Sequence, residues 1–158
     1  MNSTYGGMDQ YPNSVIRESV FENLIGDEAG VFYLDHSSLT ITNSTFLNNE
    51  AKAIGASNIV AVGSYLNVSE ARFLGNQADF GGAIYAKDHS YVNISGSIFF
   101  QNYATEQGGV IMAESNSQVM IYASIFEENS AATHGSAIVA MNINSNMLEI
   151  RNSKFTYN

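Results

Sequence analysis

Residues 73–85 read FLGNQADFGGAIY, and the spacing within this stretch decides the fold: Phe73, then Asn76 three places on, then Gly81 and Gly82 directly before an apolar run. Glycine weakens regular structure unless the backbone needs a conformation, or a closeness of approach, that a Cβ forbids. The glycine feature returns in QGGVIMA (107–113), HGSAIVA (134–140), AGVFYL (29–34) and the looser IGAS (54–57), which place Gly108, Gly109, Gly135, Gly30 and Gly55. The asparagine feature returns as well, pairing Phe46 with Asn49, Phe99 with Asn102, Phe126 with Asn129 and Phe155 with Asn158. An earlier copy, FENL from Phe21, is one residue short. Successive Phe residues, starting at position 21, lie 25, 27, 26, 27 and 29 apart. A period in that range signals a solenoid.

Alignment on the Phe residues exposes three short strands per repeat. An apolar-x-apolar triplet precedes each Phe: Leu39 and Ile41, Leu66 and Val68, Val92 and Ile94, Val119 and Ile121, Leu148 and Ile150. Period two sends these inward and the middle residue outward. A small-x-Phe segment follows, with Ser44, Ala71, Ser97, Ser124 and Ser153 two places before the Phe, and the break in alternation between the two segments implies a bend. The glycines then turn the chain into a third strand. This is the layout of an all-β, single-stranded parallel β-helix, with about six coils of 24–29 residues stacked about 4.8 Å apart. Like positions stack, so the Asn residues form one column in which amides bond between coils.

Composition agrees. The chain has 158 residues, 45% of them apolar, with one proline and 13 glycines, which suits one folded domain of many short strands and no convincing helix. Fifteen acidic residues against 6 basic ones give a net charge of −9, which disfavours nucleic acid and anionic lipid as partners. Cysteine is absent, so disulfide scaffolds and thiolate metal sites are excluded. No apolar stretch approaches the roughly 20 residues of a membrane span, and MNSTYGGMDQ is not a signal peptide, so any export signal is expected outside this chain.

The paired motifs FxxN and GGA(I/L/V), complete at 81–84, resemble the repeats of chlamydial polymorphic outer membrane proteins, autotransporter adhesins with right-handed β-helical passenger regions. The resemblance covers essentially the whole chain. It implies an extracellular or cell-surface location and a role in adhesion or self-association, carried by 81–84, 108–111 and the FxxN positions. GASN (55–58) and GSAI (135–138) depart from the glycine motif.

Polysaccharide binding or cleavage is the competing expectation. Lyase chemistry needs a strong base beside calcium-holding carboxylates, and hydrolases need paired carboxylates. The outward triplet positions are Thr40, Asn67, Asn93, Met120 and Glu149, followed two places on by Thr42, Ser69, Ser95, Tyr122 and Arg151. Only Glu149 and Arg151 are charged, which reads as a surface ion pair. Asp27, Glu28, Glu50, Asp79 and Glu106 gather in the turn after the Asn column, where Lys52 and Ala132 interrupt the series, and read as a solvated turn. Asp35 with His36 and Asp88 with His89 fall at equivalent positions two coils apart, roughly 10 Å, too far to share a metal. His134 stands alone. No catalytic residue, metal or cofactor is expected.

The third strand is apolar on both faces. With Phe32, Ile84, Ile111 and Ile138 inward, Tyr33, Tyr85, Met112 and Val139 point outward and form a candidate partner surface, unless a neighbouring loop covers them. Ice binding calls for Thr-x-Thr ranks, and only Thr40 and Thr42 supply one. N-glycosylation sequons occur at Asn2, Asn43, Asn67 and Asn93, the last two in one outward column. The ends match each other in phase: from Phe155 round to Phe21 the spacing is 24. An uncapped solenoid follows, either stacking head to tail as a filament or forming part of a longer array. Expected partners are another copy, a host or cell-surface protein, or a glycan.

Overall fold

A computed structural model describes residues 12–52, 58–144 and 147–158. Gly55 with the IGAS segment, the Asn2 sequon and the glycines of MNSTYGGM lie outside the described residues. Among the described residues every element is a strand, and all pairing is parallel. One circuit runs Tyr65–Ser69, Arg72–Leu74, Gln77–Phe80 and Ile84–Lys87. Each of these pairs with the strand one repeat earlier and one repeat later.

The strands assemble into four sheets. The triplet sheet has six strands, from Asn13–Arg17 to Leu148–Arg151, and the phenylalanine sheet has six, from Val20–Glu22 to Lys154–Thr156. A short sheet of five runs from Ile25–Gly26 to Ser130–Ala131, and a closing sheet of five from Phe32–Asp35 to Ile138–Ala140. One expectation is thereby corrected: a circuit has four strands rather than three, because residues such as Gln77 and Ala78 pair with Tyr103 and Ala104 before the glycine turn begins. Among the described residues five circuits are complete and a sixth has two strands, close to the expected coil count.

The phenylalanines stand in single file. Rings of Phe21, Phe46, Phe73, Phe99, Phe126 and Phe155 stack with successive centroids 4.5 to 4.9 Å apart and planes within 19° of parallel. The four middle rings are fully buried and join the triplet apolar pairs and the closing-sheet isoleucines in one core.

Corners are built from two residues with separate tasks. The first takes a left-handed conformation: Asn43, Glu70, Gly96, Ala123 and Asn152 after the triplet strands, and Asn48, Gly75, Gln101, Glu128 and Tyr157 after the phenylalanine strands. The second is polar or small and seals the corner of the coil before it. The Asn102 side chain accepts the Asn76 main-chain N–H (3.1 Å) through Oδ1 and donates from Nδ2 to the Phe73 carbonyl (2.9 Å). Asn76, Asn129 and Asn158 repeat this on the coils below them, and the amides also bond to one another. Ser97, Ser124 and Ser153 do the same with hydroxyls, each accepting the main-chain N–H of the preceding coil. A third file of this kind, Ser64, Ser90 and Ser117, sits at the entry to the triplet strands. At the Asn position the first coil carries Leu24, whose N–H is taken by Asn49 but which extends no amide.

Candidate functional site on the outer face of the triplet sheet

The outward side chains of the triplet sheet line up in three files, because parallel register places like positions directly above one another. The register confirms Thr40, Asn67, Asn93, Met120 and Glu149 in one file and Thr42, Ser69, Ser95, Tyr122 and Arg151 in the next. The third file lies two residues ahead of the first: Asn13, Ser38, Tyr65, Tyr91 and Gln118. Sequence reasoning passed over that file. Its signal was present as two tyrosines 26 residues apart at the same strand position.

Most members of the first and third files, with Tyr122 from the second, line a groove of about 620 Å³ that spans several coils. Tyr65 and Tyr91 stand side by side with ring centroids 5.5 Å apart and planes tilted by 35°. The Tyr91 hydroxyl donates to the Met120 sulfur, and Tyr122 closes the far side. Between the tyrosines, Asn93 Nδ2 donates to Asn67 Oδ1 (2.8 Å). At the other end Asn13 Oδ1 accepts from the hydroxyls of Ser38 (3.1 Å) and Thr40 (3.2 Å). None of the lining side chains is charged. Glu149 and Arg151 pair with each other one coil beyond Met120 and Tyr122, as expected, and do not line the groove.

The expected partner column on the closing sheet is corrected. Tyr33, Val60, Tyr85, Met112 and Val139 do stack in register, but Tyr85 and Met112 are buried and Val139 is half-covered. Phe80, in the strand before the glycine turn, packs over them with Ala29 and Val62, making a second small core outside the main one. Of the four expected residues only Tyr33 is exposed. The Tyr85 hydroxyl donates to Glu114. Its pKa rises above the usual value near 10, first because burial disfavours the phenolate and then because Glu114 takes its hydrogen bond and adds negative charge. The folded chain therefore holds this proton while the unfolded chain releases it near pH 10. The associated stability is fully present below that pH and is lost as pH rises further, by up to about 1.4 kcal/mol per unit. In urea titrations between pH 9 and 11, Tyr85→Phe is expected to flatten the decline in stability relative to wild type. Equal slopes would show that Tyr85 ionises freely in the fold.

The remaining sequence candidates separate. His36 aligns with Gly63 and Asp88, and Asp35 with Val62 and Lys87, so the expected equivalence of the two Asp-His pairs is off by one. The cause is one extra residue in the later corner, where Asp88 and His89 are both left-handed. The acidic turn residues gather into no metal-ligating group among the described residues. Asn43 stands exposed on its corner, whereas Asn67 and Asn93 lie in the groove, half-buried and bonded to each other. Gly81, Gly108 and Gly135 turn left-handed, and Gly82 and Gly109 admit the backbone of the next coil.

Four parallel sheets wound around a shared core, with laddered corners and a ranked outer face, define a parallel β-solenoid. The family described as "Right handed beta helix region" matches residues 10–158, and the chain belongs to it. Comparison with curated proteins and with solved structures gave no match.

Proposed function

We propose that the protein is a non-catalytic structural or adhesive solenoid of the cell surface or extracellular space, whose ranked outer face is presented to a partner. The observation that carries this reading is the groove on the triplet sheet: it spans several coils, is built on the most regular sheet of the molecule, and is lined by aromatic, amide and hydroxyl groups. A rigid scaffold with repeated side chains on one face is how solenoids commonly engage partners. The FxxN and GGA(I/L/V) motifs add support through their resemblance to the repeats of chlamydial polymorphic outer membrane proteins.

Incubation with neutral and acidic polysaccharides, with and without calcium, is expected to release neither reducing ends nor unsaturated products. Turnover abolished by Glu149→Gln or Arg151→Ala would replace this reading with a carbohydrate-cleaving one.

A further inference from the structure

We propose that Tyr65 and Tyr91 form a covalent modification site: under a peroxidase and hydrogen peroxide their rings couple to a dityrosine that staples two neighbouring coils. The proposal concerns the two rings themselves and stands whatever partner the outer face receives.

The parallel register brings the rings together. Tyr91 pairs with Tyr65 at the head of a five-residue match that runs on to Ser95 and Ser69. Side chains at matched positions project from one face of the sheet about 4.8 Å apart. The ring centroids lie 5.5 Å apart with planes tilted by 35°. The ring torsion of tyrosine is broad, so a small rotation brings an ortho carbon of one phenol onto that of the other. Two residues along the same strands, Asn93 Nδ2 donates to Asn67 Oδ1 (2.8 Å) and holds the register under the rings.

Both rings are half-buried and line the groove, so each keeps an accessible edge. Other tyrosines are placed differently. Tyr33 and Tyr85 each pair with Val60 and so stand two coils apart, and Tyr85 is buried with its hydroxyl on Glu114. Tyr122 faces Ser95 in register, and Tyr103 belongs to the short sheet.

The chemistry balances on one peroxide. Each phenol gives one electron and one proton to the peroxidase, which leaves a phenoxyl radical with its unpaired electron shared between oxygen and the ortho carbons. A carbon–carbon bond then forms between two ortho carbons, and the hydrogens on those carbons shift to the oxygens, restoring both phenols. The two electrons and two protons released reduce one hydrogen peroxide to two waters. Rings held side by side couple within the molecule far more readily than rings that must meet by diffusion. The bond would tie one coil to the next in a chain that has no cysteine for a disulfide.

Treatment of dilute protein with a haem peroxidase and limiting hydrogen peroxide is expected to give blue dityrosine fluorescence in the monomer fraction and an intact mass lower by two hydrogens. Digestion should yield a cross-linked peptide pair containing Tyr65 and Tyr91. Tyr65→Phe and Tyr91→Phe keep the rings and their packing, and each should lower the monomer yield by about tenfold or more. Tyr33→Phe, on a different sheet, should leave the yield unchanged. Met120→Leu removes the thioether that accepts the Tyr91 hydroxyl and is itself open to oxidation, and it should not lower the yield. The stapled protein should melt about 5 °C above the untreated one, because the link restrains the unfolded chain. No dityrosine under conditions that couple free tyrosine, links that map to other tyrosines or only between chains, or a yield unmoved by both phenylalanine changes would each overturn the proposal. A mapped Tyr65–Tyr91 link that leaves the melting temperature unchanged would overturn its role as a staple.

Discussion

Gly109→Ala is expected to leave the chain unfolded or to lower its melting temperature by about 6–12 °C, the equivalent of 3 kcal/mol or more. A Cβ built on Gly109 would lie 1.9 Å from the Ser136 carbonyl oxygen and 2.5 Å from that of Ser130. Both are main-chain atoms of the following coil, so no side chain can swing aside. The methyl would have to lift one coil from the next, stretching the bond from the Gly109 N–H to the Gly135 carbonyl (3.0 Å). Gly96→Asn is the informative comparison. Gly96 is left-handed, but a Cβ there would meet only Glu70, at an ordinary van der Waals distance of 3.7 Å or more, and its counterparts Asn43, Glu70, Ala123 and Asn152 adopt the same conformation. Its replacement should therefore cost less than about 1 kcal/mol. Thermal melts of the two variants separate the crowded glycine from the merely left-handed one, and a Gly109→Ala protein melting within a degree or two of wild type would contradict the close contact described.

Asn102→Ala is expected to destabilise by about 2–5 kcal/mol in urea unfolding. The side chain is fully buried and engaged at all four of its hydrogen-bonding positions, with Asn76 through two, Phe73 through one and Asn129 through one. Its removal leaves the buried Asn76 N–H without that acceptor and opens a void in a buried corner. Asn158→Ala removes the same chemistry at the last rung, where the pocket is half-buried and solvent can substitute, so its cost should be less than half as large. Equal losses at the two positions would mean that the amides act as surface groups and not as internal seals.

How much of this was legible in sequence depended on whether a residue's role follows the repeat. The phenylalanine file, the amide ladder and the inward triplets could be read because each is fixed by its distance along one coil, and stacking turns equal distances into contacts. The fourth strand was not legible: Gln77 and Ala78 are too short a segment to show apolar alternation, although Ala78 is buried in register with Ala104. The fate of Tyr85 and Met112 was not legible either. Alternation correctly sent them outward, but Phe80, which covers them, belongs to a different sheet and reaches them through an irregularity in pairing between Ala78 and Phe80. The Asp88 corner misled because a single inserted residue shifts alignment on one side of a bend and not on the other. In the groove, attention to charged groups hid the uncharged file of Tyr65 and Tyr91, whose period matched the rest of the repeat.

The seals at the corners all point the same way. In each of the three files a side chain of the later coil accepts the main-chain N–H of the earlier one. A ribosome delivers the coils in that same order, so every newly made turn completes its predecessor and waits for its successor. Each coil is thus set like a course of masonry, with its mortar supplied by the course laid above it.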